Sequence, residues 1–454
     1  MHCSAESSSA IIRPGLLVVG LLVVSARVGA QTAEYITNET TAAESVEELD
    51  SSLNETEYLE PPARMGFWGF LDAGPFLRDA DLSFRFRGYD FRRTDGTGAT
   101  LSQAFAAGGE LAFQSGRWNE MLSVEASWYT SQGIDAPENF GGTGLLGPGQ
   151  SDISVLGKAF VKLDFEGGIT ARFYRQDFML PYINRQDSRM IPNTHEAYRV
   201  TRLGERLSYV AGHVTKIKLR TSDEFIPMAE AAGVLGGTAG TSIGGLRYTT
   251  AGDLEIGGLV AYTHDAFNIA YAETNWVHSF NDDLGFRFSA QYTDQRSVGR
   301  EDLGNFSTNT WGIRVGGSYR NAVLTLAYTD TDESAPIRSP FGGRPSYNSM
   351  MLFNFDRPGE RAWRLAATYD FGRIGLPGFS LQMNLAAGKD AVDSATGIRL
   401  DDNSEQNFTI DYRPEQGRLA GLWIRFRRAS ADRMDPGADR RDYRLIIRYD
   451  FAML

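Results

Sequence analysis

The chain has 454 residues, with 49 Gly against 16 Pro, 12% aromatics and a formal net charge of −12. The acidic balance argues against a nucleic-acid partner. The single cysteine, Cys3, rules out an internal disulfide and a cysteine-ligated metal.

The N-terminus reads as an export signal over 1–30. Arg13 precedes the apolar run Gly15–Val24, and Val28-Gly-Ala30 supplies small residues for cleavage. That run is too short for the ~20 residues a spanning helix needs. Residues 31–66 form an acidic tail, with no Lys or Arg between Glu34 and Glu60 to balance its carboxylates. So little apolar content predicts a flexible periplasmic segment. The remainder, 67–454, is expected to be one folded unit.

From Asp81 onward the sequence alternates with a period of two. Leu82, Phe84 and Phe86 share one face, and Ser83, Arg85 and Arg87 share the other. Trp311, Ile313 and Val315 oppose Arg314, while Leu422, Ile424 and Phe426 oppose Arg425 and Arg427. A helix would place apolar residues at three- and four-residue spacing instead. Eighteen such segments follow, starting near 82, 104, 120, 154, 168, 195, 206, 242, 254, 266, 283, 309, 322, 361, 378, 405, 419 and 441. Most have the length of a tilted strand crossing a bilayer. An even number is what a bacterial single-chain barrel carries.

The connections alternate long and short. The long ones are 92–103, 131–153, 177–194, 220–241, 294–308, 330–360, 389–404 and 429–440. The short ones include Gly116–Asn119, Gly204-Glu205 and Arg320-Asn321, and His264-Asp265 is short where a long loop is due. Short periplasmic turns with long external loops mark a transmembrane antiparallel β-barrel of the outer membrane. Aromatics toward the strand ends, among them Trp128, Tyr129, Tyr292, Trp311, Tyr328, Trp363, Tyr443 and Tyr449, fit two interfacial girdles.

With the apolar face against lipid, the other face is rich in cations: Arg85, Arg87, Lys158, Lys162, Arg172, Arg287, Arg314, Arg364, Arg425, Arg427 and Arg444. An Arg turned to lipid at mid-membrane costs about 2–4 kcal/mol, which sets this phase. Glu110, Glu125, Asp164 and Asp411 join them on the interior side. Such a basic track attracts small anionic or zwitterionic solutes; alternatively, the cations pair with these acids and only solvate the interior. The loop 177–194 mixes apolar residues and Pro with Tyr182, Arg185, Asp187 and Arg189. It is predicted to fold inward and narrow the pore, as is 330–360.

Three stretches resemble the OprD family of substrate-specific outer-membrane porins: Leu180–Pro192, Ser339–Gly343 with Phe355–Trp363 and Ala367–Phe371, and Gly141–Leu146. The resemblance spans roughly 68–451 and implies an 18-stranded barrel, monomeric or weakly trimeric. Its third and seventh loops would fold inward, and a ladder of interior Arg would guide carboxylate-bearing nutrients. The acidic tail is not part of that pattern. Such a barrel would meet outer-membrane lipid and lipopolysaccharide, and the barrel assembly machinery during biogenesis.

Two other classes are disfavoured. A barrel hydrolase needs a nucleophile with His, and His195, His213, His264 and His278 accompany no Gly-x-Ser-x-Gly elbow. An energy-coupled transporter needs a plug domain larger than 31–66. No His or Cys cluster has ligand spacing, so no metal or cofactor is expected. The reading is therefore a selective passive porin, with a general diffusion pore as its alternative.

Overall fold

The computed structural model describes residues 75–414, 416–433 and 439–452. The expected signal and acidic tail lie outside the described residues. Eighteen strands follow a single helical turn, Pro75–Arg78. They are β1 (Asp81–Asp95), β2 (Thr100–Gln114), β3 (Leu122–Asp135), β4 (Ile153–Phe165), β5 (Ile169–Gln176) and β6 (Thr194–Arg202). Next come β7 (Leu207–Lys218), β8 (Thr241–Thr249), β9 (Leu254–Thr263), β10 (Phe267–Asn281), β11 (Leu284–Ser297) and β12 (Ser307–Tyr319). The last six are β13 (Ala322–Thr331), β14 (Arg361–Asp370), β15 (Phe379–Lys389), β16 (Asn403–Tyr412), β17 (Leu422–Arg433) and β18 (Arg440–Ala452). Each pairs antiparallel with its neighbours in sequence. The sheet closes on itself where β18 pairs with β1, Tyr449 opposite Phe86 and Arg440 opposite Asp95. Closure removes both sheet edges, the condition for a sheet to cross lipid.

Alternation decides which side chain meets lipid. In β14, Trp363 and Leu365 are exposed, while Ala362, Arg364 and Ala366 are buried in the barrel. The outward aromatics form rows: Trp311 lies 5.5 Å from Tyr328, whose ring is 4.5 Å from Trp363. At the opposite rim Phe379 lies 4.4 Å from Tyr412 and Tyr449 4.3 Å from Phe451, the rings tilted to one another. Tyr129 does not belong to a girdle. It is 3% exposed and donates to Glu110 Oε1 at 2.9 Å. Adjacent strand residues point to opposite faces, so outward Trp128 sends Tyr129 inside.

The outer connections are long, as alternation predicts, with two corrections beyond the short 264–266 turn: β17 runs on to Arg433, into the segment 429–440 read as loop, and the first connection is shorter than expected. The first is only 96–99, because β1 and β2 run on as a hairpin through the polar segment read as loop. Arg93 explains the extension: it reaches across to Asp442 on β18, Nε to Oδ1 at 2.6 Å.

Candidate functional site: the barrel interior and its inward loops

Four outer loops contribute packing inside the barrel: L2 (136–152), L3 (177–193), L4 (219–240) and L7 (332–360). L3 begins as a small hairpin, Met179–Leu180 against Ile183–Asn184. Its turn is Pro181-Tyr182, with Tyr182 at φ +65°. That left-handed backbone is strained for a bulky residue. The ring is held in place: Tyr182 is 2% exposed and its Oη donates to Thr293 Oγ1 at 2.9 Å.

Phe178, Tyr182 and Ile183 of L3 pack with Ile337 and Phe341 of L7, Met228 of L4 and Phe267 of β10. Phe341 and Phe267 lie 6.1 Å apart. The two loops are also clasped through one amide. Asn184 Nδ2 donates to Gly343 O at 2.8 Å, and Gly343 N donates back to Asn184 Oδ1 at 2.8 Å. Asn184 thus acts as a strand partner made from a side chain. Further along L3, Met190 and Ile191 pack with Tyr89, Phe91 and Tyr129 of the wall and Leu145 and Leu146 of L2.

Salt bridges orient the polar half of L3. Asp187 takes a two-pronged contact from Arg87, at 2.6 and 3.1 Å, and a third from Arg185 at 2.9 Å. Burial opposes ionisation of Asp187, but Arg87 and Arg185 outweigh it and hold the carboxyl well below the usual range. Asp177 behaves alike: burial opposes its charge, and Lys158, Arg185 and Arg172 overcome this. Arg189 donates from Nε to Thr143 O at 3.0 Å and so ties L3 to L2. Burial, then the charge of Arg444, pulls Arg189 down to about 9.

The eleven predicted track residues sit on the interior phase of their strands. Arg85 bonds Glu110 at 3.0 Å and Asp450 at 2.9 Å. Lys158 lies 2.6 Å from Glu125 and 3.5 Å from Glu110, and Lys162 lies 3.4 Å from Asp164. Arg425 grips Asp411 at 2.7 and 3.1 Å over the Trp423 ring. Arg444 pairs with Asp442 at 2.7 Å and donates to Met351 O of L7 at 3.2 Å. Arg87, described above with Asp187, joins them in holding carboxylates. Neutral groups also stand beside the remaining track residues. Arg314 donates to Ser289 Oγ at 3.2 Å and faces Tyr347; Arg364 reaches Asn384 Oδ1 at 3.5 Å; Arg172 lies over Phe160. Arg287 borders a small recess with Gly316, Val323 and Thr325, and Arg427 is 2% exposed.

Several placements bring like charges face to face, among them Lys162 of β4 opposite Arg172 of β5 and Arg172 opposite Arg199 of β6. Arg427 of β17 stands opposite Arg444 of β18, and Arg448 of β18 stands opposite Arg87 of β1. The interior of three consecutive strands is therefore a band of guanidinium groups, met on one side by the Asp187 arm of L3.

Sequence reasoning missed several supports of this arrangement. Lys218 at the end of β7 donates to Pro192 O at 2.8 Å, and Arg220 donates to Ser188 Oγ at 2.7 Å. Both clamp L3 from L4's root. Asn184 and Asp177 were legible only as loop polar residues, and L2 and L4 only as long loops.

A closed antiparallel barrel with sorted loop lengths, girdles of aromatics and loops turned into its bore is the architecture of an outer-membrane channel. The family model for the outer membrane porins of the OprD family matches residues 75–453, and the chain belongs to that family. It is therefore a porin of the bacterial outer membrane and not an enzyme. It is 25% identical over 427 residues to Porin D of Pseudomonas aeruginosa, covering 84% of this chain and 93% of that protein. Among solved structures it resembles OccK9 (OpdG) of Pseudomonas aeruginosa, with a TM-score of 0.76 at 23% identity, covering 83% of this chain and 100% of that one. A BenF-like porin from Pseudomonas fluorescens Pf-5 has a TM-score of 0.75 at 17% identity, covering 83% and 100% respectively. OpdK of Pseudomonas aeruginosa, determined with vanillate, has a TM-score of 0.73 at 22% identity, covering 83% and 99%.

Proposed function

We propose that this porin passes small carboxylate-bearing solutes, amino acids and organic acids among them, selectively and passively along its interior arginines. The observation that carries the reading is the two pairs of opposed arginines, Arg427 with Arg444 and Arg448 with Arg87. Like charges directly across a strand pair destabilise a sheet. Four residues apart on β18 and bordered by Asp187, Asp442 and Asp450, the two pairs form a dense band of guanidinium groups along which a passing anion can exchange contacts. A guanidinium presents a planar fork that matches a carboxylate and keeps its charge when partly dehydrated. The mixed charge of L3, Arg185 and Arg189 beside Asp187, suits zwitterions as well as simple acids. The presence of vanillate, a carboxylate, in the OpdK structure agrees with this chemistry.

Proteoliposome swelling with solutes of matched size tests it: pyruvate or a small amino acid against a neutral polyol. Pyruvate should enter faster. Arg425→Gln with Arg427→Gln should lower the pyruvate-to-polyol ratio by about tenfold, the scale on which wall charge enriches a counter-ion. Folding of the variant is checked by the heat-dependent gel shift of intact barrels. Equal entry of both solutes, unchanged in the double variant, would make the protein a general diffusion pore and the arginines structural.

A further inference from the structure

The seam between β17, β18 and β1 carries a second group of arginines, on its outer face. Arg428 on β17 and Arg92 on β1 both stand opposite Tyr443 on β18. Arg441 lies two residues further toward the outer rim of β18 on the same face. All three arginines are exposed, while the alternating residues Phe91, Ala429, Asp442 and Arg444 are buried inside. The Arg428 guanidinium lies 5.8 Å from the centroid of the Tyr443 ring, and Arg92 donates to Thr100 Oγ1 at 3.2 Å. Strands are about 4.8 Å apart and alternate residues about 6.8 Å along a strand, so the three Cα atoms fit within a patch about 10 Å across.

Exposed arginines are ordinary in water, but this is the face that meets lipid. Immediately below them the outward residues are Phe426 on β17 and Leu445 and Ile447 on β18, all exposed and apolar. The patch thus sits where the apolar band ends, at the level of outer-leaflet headgroups. Several other exposed cations on this rim are neutralised. Arg296 pairs with Asp294 at 2.7 Å, Lys216 with Glu196 at 3.6 Å, and Arg361 with Asp390. Among the described residues, no carboxylate forms an ion pair with Arg92, Arg428 or Arg441; Asp90 and Asp432 share the face without pairing to them. Three outward arginines flank the position of an interfacial tyrosine, and among the described residues no carboxylate is paired with them.

We infer that this patch binds a phosphate group of lipid A, the phosphorylated glucosamine base of outer-leaflet lipopolysaccharide. The occupant follows from three properties. The ligand must be anionic, to satisfy three cations. It must present compact oxygens, to match guanidinium forks. It must also have acyl chains that lie along Phe426, Leu445 and Ile447 below. The site would fasten one lipopolysaccharide molecule over the strand pair that closes the barrel.

The test uses the full-length protein purified in detergent, with native mass spectrometry reading bound lipid. The probes are bis-phosphorylated lipid A, dephosphorylated lipid A of the same acyl pattern, phosphatidylglycerol and inorganic phosphate. Bis-phosphorylated lipid A should bind at least tenfold tighter than the dephosphorylated form. Each arginine replaced by Gln should weaken it by about fivefold, as expected for a cation held at an anionic membrane surface. Arg361→Gln, at an ion-paired rim position, should leave binding unchanged. The heat-dependent gel shift confirms that each variant is a folded barrel. Indifference to the phosphates, or equal losses in Arg361→Gln and the patch variants, would overturn the proposal. So would phosphatidylglycerol matching lipid A, which would make the patch a general anionic-lipid anchor. Displacement of lipid A by dilute inorganic phosphate would assign it to free anions instead.

Discussion

At the scale of single residues, Asp187 is the hinge of the interior electrostatics. It is nearly buried and shared by Arg87 and Arg185. Replacing it by Asn leaves two guanidinium groups without their anion, and breaking such a buried pair costs about 3–5 kcal/mol. Asp187→Asn should therefore release L3 from the wall, raising single-channel conductance and current noise in planar bilayers. The pH response follows from the direction of its shift. A carboxyl held below its usual range contributes its stabilisation fully above the unfolded value of about 3.9, and loses it only as pH falls through the lower folded value. Conductance attributable to L3 should stay constant from about pH 7 to about pH 4.5 in the native protein. A step within that window would show that a different group controls the loop.

At the scale of elements, glycines decide how closely backbones approach at two places. Gly342 has φ +154°, and a Cβ there would lie 2.5 Å from Asn184 Oδ1 and 2.8 Å from Asn184 N. Gly342→Ala should part L7 from L3 while the barrel still forms. The readouts are faster polyol entry into liposomes and a normal gel shift; a pore of unchanged size would show that the Asn184 clasp does not govern the opening. In the wall itself, Gly109 of β2 has φ +148°, and a Cβ would meet Arg85 O at 1.8 Å. Its neighbour Gly108 is equally close to β3, at 2.1 Å from Thr130 O. No side chain can shift to relieve a clash with backbone oxygens. Gly109→Val should abolish the folded, faster-migrating band on unheated gels, whereas the loop substitution should not. Neither glycine is distinguishable by sequence from the many that simply sit in turns, because the requirement comes from a neighbouring strand.

At the scale of the whole molecule, the strand count, the order of the strands and the phase of most of them could be read before any coordinates. Lipid enforces a period-two pattern over each segment, and a one-residue slip would turn Arg364 or Arg425 into hydrocarbon. Loop lengths, the inward tendency of 177–194 and the family likeness were local and therefore visible. The limits of this reading have the same origin. The hairpin of β1 and β2 outlasts its apolar pattern because Arg93 finds Asp442, a partner 349 residues away. Tyr129 turns inward to Glu110 although its composition suits a girdle. The clasp of Asn184 on Gly343 spans 159 residues, and the outer arginine patch joins the first strand to the last two. The sequence by itself determined a closed barrel of the outer membrane with cations on its inner face, since alternation is written residue by residue. Only the tertiary structure decided which arginines hold carboxylates, which oppose each other, and which loops fasten together, since those pairings depend on closure bringing distant segments side by side.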